Sequence, residues 1–273
     1  MISISLLYIC CFTFIIHMTE SLAYSMRLAG IRTKQIAIAM SFVTSTLLIS
    51  RLSNMFQAPL LGALVDSTIM KGTQLALSQL EDQFRIVILA GFFGAFMGAF
   101  LTPTAVTLFQ LAIRRFLDCG SMPKLILHAL KPSSLLKGLQ LFRVPRLSSL
   151  KTISLGTLPR SFLYFNVLVT SIYAIGVLCS LLAGAYIPEF RSTAIQLSGI
   201  VNGMATILFT LLVDPSGARV TDQAAHAKRS EEDVRSVVFF LQLGKMVGIL
   251  ILAQLLFEPL ARYIMLKIGR AHV

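Results

Sequence analysis

The sequence predicts an all-α fold: a polytopic membrane helical bundle of about six transmembrane helices, some kinked or broken at proline. It reads as a single membrane domain over residues 1–273. Three observations carry this. Hydrophobic residues make up 56% of the chain and charged residues only 13%, about half the ~25% usual in a soluble domain. Mean hydropathy is +0.80. Six apolar runs reach the ~20 residues needed to cross a ~30 Å hydrocarbon core. None shows the ~10-residue alternation of a membrane β-strand, and backbone groups in lipid must pair within their own helix.

The runs are Ile4–Met26, Ile36–Val65, Arg85–Phe116, Ser161–Ile187, Thr193–Val213 and Val234–Met265. The first has no basic leader and no Ala-x-Ala cleavage site, so it reads as a retained helix. The second, third and sixth are too long for one straight crossing, and each holds a proline: Pro59, Pro103 and Pro259. Proline removes a helix hydrogen bond and invites a kink or a break, so seven or eight crossings also fit. The last run starts at Ser230-Glu-Glu-Asp233, a capping box.

Charge sets the orientation. Loops between runs one and two, three and four, and five and six, with Arg114, Arg115 and Arg235 at the run ends beside them, hold sixteen Lys and Arg; the opposite loops and the tail, with Arg85 and Arg262 at the run ends, hold six. The basic side is therefore cytoplasmic, and six crossings leave both termini outside. Residues 117–160 form a basic cytoplasmic connection. Within it Leu135, Leu136, Leu139 and Phe142 share one helical face, which predicts an interfacial amphipathic helix. Anionic membrane lipids are the partner this surface and the +12 net charge imply; nucleic acid is not.

Charges inside spans are costly and face a cavity or a partner. In the first run His17, Glu20, Tyr24 and Arg27 lie along one face. Arg51 lies near the middle of the second run, too deep to snorkel easily. Asn54 and Gln57 follow it, just before Pro59. This grouping suits an anion site; the alternative is a salt bridge from Arg51 to Glu20 or Glu258. Lys245 shares a helical face with Gln242 and lies about ten residues into the sixth run, where it either snorkels or enters the same cavity. Asp66 and Asp214 read as span-end residues. Arg27, Arg51, Asn54, Gln57 and Lys245 are thus the candidate substrate-binding set, with His17, Glu20 and Glu258 as candidate charge-pairing or coupling residues. Gly94-x-x-x-Gly98 allows close helix approach and permits a homodimer without requiring one.

Cys10, Cys11, Cys119 and Cys179 lack metal-ligand spacing and read as reduced packing residues. There is no P-loop, no His-Glu-x-x-His and no Gly-x-Ser-x-Gly. No metal, cofactor or catalytic residue is expected. The residues themselves lead to an anionic lipid or organic anion, moved or modified.

Two stretches go further. Ile16–Thr33 (IHMTESLAYSMRLAGIRT) and Ser50–Asp66 (SRLSNMFQAPLLGALVD) resemble the Amj family of bacterial lipid II flippases, alternates to MurJ-type flippases. The resemblance implies a multi-pass protein of the bacterial cytoplasmic membrane, not an enzyme, acting in peptidoglycan synthesis and so in cell-wall biogenesis and cell shape. Its substrate would be lipid II, the undecaprenyl-pyrophosphate-linked disaccharide-pentapeptide, moved from inner to outer leaflet. Intramembrane Arg and Lys would then hold the pyrophosphate. The alternatives are an integral-membrane enzyme like undecaprenyl-pyrophosphate phosphatase, or a non-transporting scaffold for wall synthesis. Against the enzyme, Ile49-Ser-Arg-Leu-Ser53 has no Pro-Gly before it and no histidine beside it.

Overall fold

The computed structural model describes residues 3–271 except 133, 135–137, 139, 146–150, 155 and 157. Among these there is no strand, and six helical segments are long and apolar enough to cross a membrane. The first segment is α1 (Ile4–Tyr24) followed by α2 (Met26–Thr33). Ser3 caps α1, its hydroxyl accepting from the Leu6 amide at 3.2 Å. The two helices join at Ser25, whose hydroxyl donates to the Leu22 carbonyl at 2.6 Å.

α3 (Ile36–Lys71) runs unbroken through Pro59. Proline costs one helix hydrogen bond here, but packing pins α3 on both sides of it. Gln57 bonds to α1, and Leu61 and Val65 enter the core. Gly72, at φ +60°, ends the helix in the left-handed conformation that glycine adopts without a Cβ clash.

The expected third span, Arg85–Phe116, is corrected at both ends. α4 (Gln74–Phe100) starts eleven residues earlier, where Thr73 caps the Ala76 amide at 3.2 Å. The early turns hold Glu81, which accepts from the Tyr186 hydroxyl, and Arg85, which pairs with Glu258 at 3.6 Å. Paired charges depress hydropathy without ending the helix. At the other end the helix stops at Leu101, and Pro103 sits in the first turn of a new helix, α5 (Thr102–Cys119). There its missing N–H costs nothing. α5 lies at the end of the bundle, with Ile113 packed among Met26, Ala29, Ala39 and Phe42. α6 (Met122–Ala129) follows. Leu135, Leu136 and Leu139 of the expected interfacial helix lie outside the described residues; Phe142 is exposed.

α7 (Arg160–Tyr186) is the most enclosed span. The fifth span is the least enclosed: α8 (Arg191–Leu208), a π-helical turn at Phe209–Val213, then α9 (Asp214–Ala225). The sixth is α10 (Glu231–Val247), a second π segment at Gly248–Ala253, and α11 (Gln254–Ala271), which continues through Pro259. The capping box at its start is complete. Ser230 Oγ accepts from the Asp233 amide at 3.2 Å, and the Asp233 carboxylate accepts from the Ser230 amide at 3.1 Å. Ser230→Ala should cost about 1 kcal/mol, read as a small drop in the thermal midpoint of purified protein.

The core is divided along the bundle. One end joins Leu6, Val65, Leu80, Leu182, Ala194 and Ile268. At the other, basic end, Leu28, Phe162, Val220 and Val234 cluster beside the α5 contacts. The beginning of α1 and the end of α11 thus share one end, as an even number of crossings requires. α4 lies flat on α1. A Cβ on Gly94 would fall 2.2 Å from the Phe14 carbonyl oxygen, and one on Gly98 2.6 Å from that of Met18. The small-residue face that permitted a homodimer is covered by α1 of the same chain.

Candidate functional site

A cavity of about 690 Å³ lies between α1, α3, α7, the fifth span and α10. Its floor includes Glu20, Arg51, Asn54, Tyr173 and Lys245; toward the basic end it meets Tyr24, Arg27 and Asp214. That volume lies in the general range of small-molecule sites. On one wall Arg51 and Asn54 of α3 are exposed, and on the facing wall so are Gly203 and Thr206 of α8. The cavity therefore opens sideways between α3 and the fifth span. Apolar side chains flank the opening: Leu52 and Met55 on α3, Met204 and Ile207 on α8.

Glu20 is the hub. Its Oε2 receives the Lys245 ammonium at 2.6 Å. Its Oε1 accepts from the Ser50 and Tyr173 hydroxyls, both at 3.2 Å. Tyr173 is the central residue of α7, and Lys245 is only 3% exposed, so this charge pair sits deep in the bundle. His17 Nδ1 is 3.7 Å from Glu20 Oε2. His17 does not line the cavity; its ring lies behind Glu20, against Gly91.

Arg27 and Asp214 form a second pair. Arg27 is buried rather than reaching toward the interface, and its guanidinium covers Gly217. Asp214 is not a span end: helix continues past it to Ala225. Arg51 differs from both other cavity cations. Among the described residues it has no ion pair and no hydrogen bond, and neither Glu20 nor Glu258 reaches it.

Two of the expected residues lie elsewhere. Gln57 turns into the α1–α3 seam, where its amide donates to the Ile9 carbonyl at 3.2 Å and to Thr13 Oγ1. It ties helices together and does not face the cavity. Glu258 lies toward the far end, pairing with Arg262 at 2.6 Å and Arg85 at 3.6 Å. Arg27, Arg51, Asn54, Lys245 and Glu20 do converge on the cavity. Sequence reasoning missed Ser50, Tyr173, Asn202, Thr206 and the role of Asp214. A hydroxyl or amide in a span is cheap enough to pass as packing; only a tyrosine at the centre of an apolar run was a usable signal.

The cavity does not reach the far ends of α3 and α8. Asp66, at the end of α3, pairs with Arg191, at the start of α8. The two helices that part around the cavity are thus tied together at their far ends. Arg85 also donates to the Gln254 carbonyl at 2.8 Å, where the second π segment ends.

The family model described as Amj, alternate to MurJ, matches residues 12–267. The chain is 36% identical over 264 residues to the protein named lipid II flippase Amj of Bacillus subtilis (strain 168), covering 96% of each chain. No solved structure matches. With a family model matching nearly end to end and six apolar helices to embed it, the chain belongs to the Amj family, as a multi-pass protein of the cytoplasmic membrane.

Proposed function

We propose that this chain flips lipid II from the inner to the outer leaflet, with the headgroup pyrophosphate held in the cavity at Arg51. The single observation that carries the site is an arginine without a partner among the described residues, halfway along a membrane helix, facing a cavity open to the side. An uncompensated charge at that depth is expensive, and an arriving anion relieves the cost. A guanidinium stays charged at any working pH and meets phosphate oxygens as a planar fork. Asn54, Asn202 and Thr206 supply uncharged polar contacts on either side, suited to sugar hydroxyls and amides. The relative's name, matched over nearly the whole length, supports lipid II as the substrate.

The direction follows from shape. The cavity extends toward the basic end, which faces the cytoplasm by charge count, and does not reach the Asp66–Arg191 pair that ties α3 to α8 at the other end. This is an inward-facing state that collects substrate from the inner leaflet, where anionic lipids also meet the basic connection. The side opening lets the polyisoprenyl chain stay in the bilayer while the headgroup enters. No bond is made or broken; only the side to which the cavity opens alternates.

The test is lipid II exposure on the outer leaflet of cells depleted of their other flippase, at matched membrane abundance. Wild type should restore exposure. Losing one charge-assisted contact of about 1.5–3 kcal/mol should lower the rate about 10- to 100-fold in Arg51→Ala, and less in Arg51→Lys. Full activity in Arg51→Ala would overturn the site. Lipid II retained inside by wild type would overturn the flippase, and phosphate release from undecaprenyl pyrophosphate would then favour the enzyme.

A further inference from the structure

The charges facing the cavity do not balance when it is loaded, and the imbalance has a natural remedy. This rests on the flippase reading above. Arg27 and Asp214 cancel, as do Lys245 and Glu20, so Arg51 leaves the empty cavity at a net single positive charge. A pyrophosphate diester carries two negative charges at any physiological pH. The loaded cavity would then hold one uncompensated negative charge in mid-membrane, which is costly.

Glu20 is where the balance can change. Lys245 is the second cation on the cavity floor, and a phosphate oxygen competes with Glu20 Oε2 for its ammonium. If the ammonium turns to phosphate, Glu20 keeps only the Ser50 and Tyr173 hydroxyls on Oε1. A buried carboxylate without its counter-charge is strongly unfavourable as an anion. The groups facing Glu20 are His17 and Tyr24 from α1, Ser50 and Arg51 from α3, Tyr173 from α7 and Lys245 from α10. Of these, His17 is the other group able to take a proton, its Nδ1 being buried without a hydrogen-bond partner.

We propose that binding of one pyrophosphate diester is coupled to uptake of one proton by Glu20. The ammonium passes from carboxylate to phosphate, and a proton from water occupies the Oε2 it vacates. The loaded cavity is then electrically neutral. On release the ammonium returns to Glu20 and the proton leaves. The loaded cavity moves no net charge, while each full cycle carries one proton and one net negative charge outward, so headgroup movement responds to a pH difference across the membrane as well as to its potential.

The experiment uses the full chain in phosphatidylcholine nanodiscs. The ligand is a short-prenyl pyrophosphoryl N-acetylglucosamine, a diester with no proton of its own to exchange near neutrality. Calorimetric titration at one pH in two buffers of different ionisation heat counts the protons. One proton taken up per ligand bound is expected in wild type and in His17→Gln. A protonated-carboxyl band should appear in the infrared difference spectrum on binding. Binding with no proton uptake overturns the proposal. So does uptake that disappears in His17→Gln, or uptake without a carboxyl band. Absence of binding removes the Arg51 headgroup site itself, and this inference with it.

Discussion

Lys245→Met should sharply reduce the amount of folded protein, and adding Glu20→Gln should restore it without restoring transport. The single change leaves the Glu20 carboxylate buried beside two hydroxyls and a histidine, with its 2.6 Å ammonium partner gone. Breaking a buried pair from one side costs about 3–5 kcal/mol, whereas replacing both partners by uncharged groups of similar volume is often close to neutral. That cost is a large part of a typical stability of about 5–15 kcal/mol. In the double variant the introduced amide oxygen still accepts from Ser50 and Tyr173, and the methionine fills the space of the lysine stem. The thermal midpoint in detergent should fall by several degrees or more in Lys245→Met and return close to wild type in the double variant. Lipid II exposure should stay low in both, because the cavity floor keeps only Arg51. If the double variant were no more stable than the single one, the pair would not be the source of the loss. If it flipped lipid II normally, the pair would serve packing alone.

The six crossings were legible because hydropathy measures what lipid demands of a whole segment. Their ends were less so. Glu81, Asp82 and Arg85 lower the local hydropathy of α4, yet the helix begins at Gln74; the contacts that make this tolerable involve Tyr186 and Glu258, far away in sequence. Pro59 and Pro103 look alike in the chain and act differently. The first sits in a helix pinned on both sides; the second coincides with a helix start. Arg51 could be picked out because a mid-span charge is costly wherever it points. The same logic placed Glu20 in the interior and left Lys245 between snorkelling and the cavity, but could not pair them, since they are 225 residues apart. Asp214 ends an apolar run and so resembles a boundary residue. Only the fold shows the π turn before it and Arg27 beside it. Gln57 was misplaced for the converse reason: sharing a stretch of sequence with Arg51 says nothing about which neighbouring helix a side chain meets. Glu258 does pair with charge, but with Arg85 and Arg262 rather than with Arg51.

The largest effect away from the cavity should come from Gly94. Gly91, Gly94 and Gly98 of α4 bear on α1 between Thr13 and Leu22. At Gly94 an added Cβ meets the Phe14 backbone at 2.2 Å for oxygen and 2.9 Å for Cα. A backbone cannot swing aside as a side chain can, so the helices must separate. Overpacking of an ordinary core costs about 1–3 kcal/mol; a rigid clash along this seam should reach the top of that range in Gly94→Ala and exceed it in Gly94→Val. Thermal unfolding in detergent measures both. Gly62→Ala and Gly199→Ala make the same chemical change in helices where nothing lies within 4 Å of the new atom, and they should leave stability unchanged or raise it by up to about 1 kcal/mol. Because α1 carries Glu20 on the side turned from α4, pushing α1 away from Gly94 also drives Glu20 toward the cavity. Gly94→Ala should therefore lower lipid II exposure even at matched abundance, although Gly94 touches no cavity residue. Retained stability and transport in Gly94→Val would mean that α1 and α4 can slide apart without disturbing the site, and the rigid seam would no longer explain how Glu20 is held against Lys245.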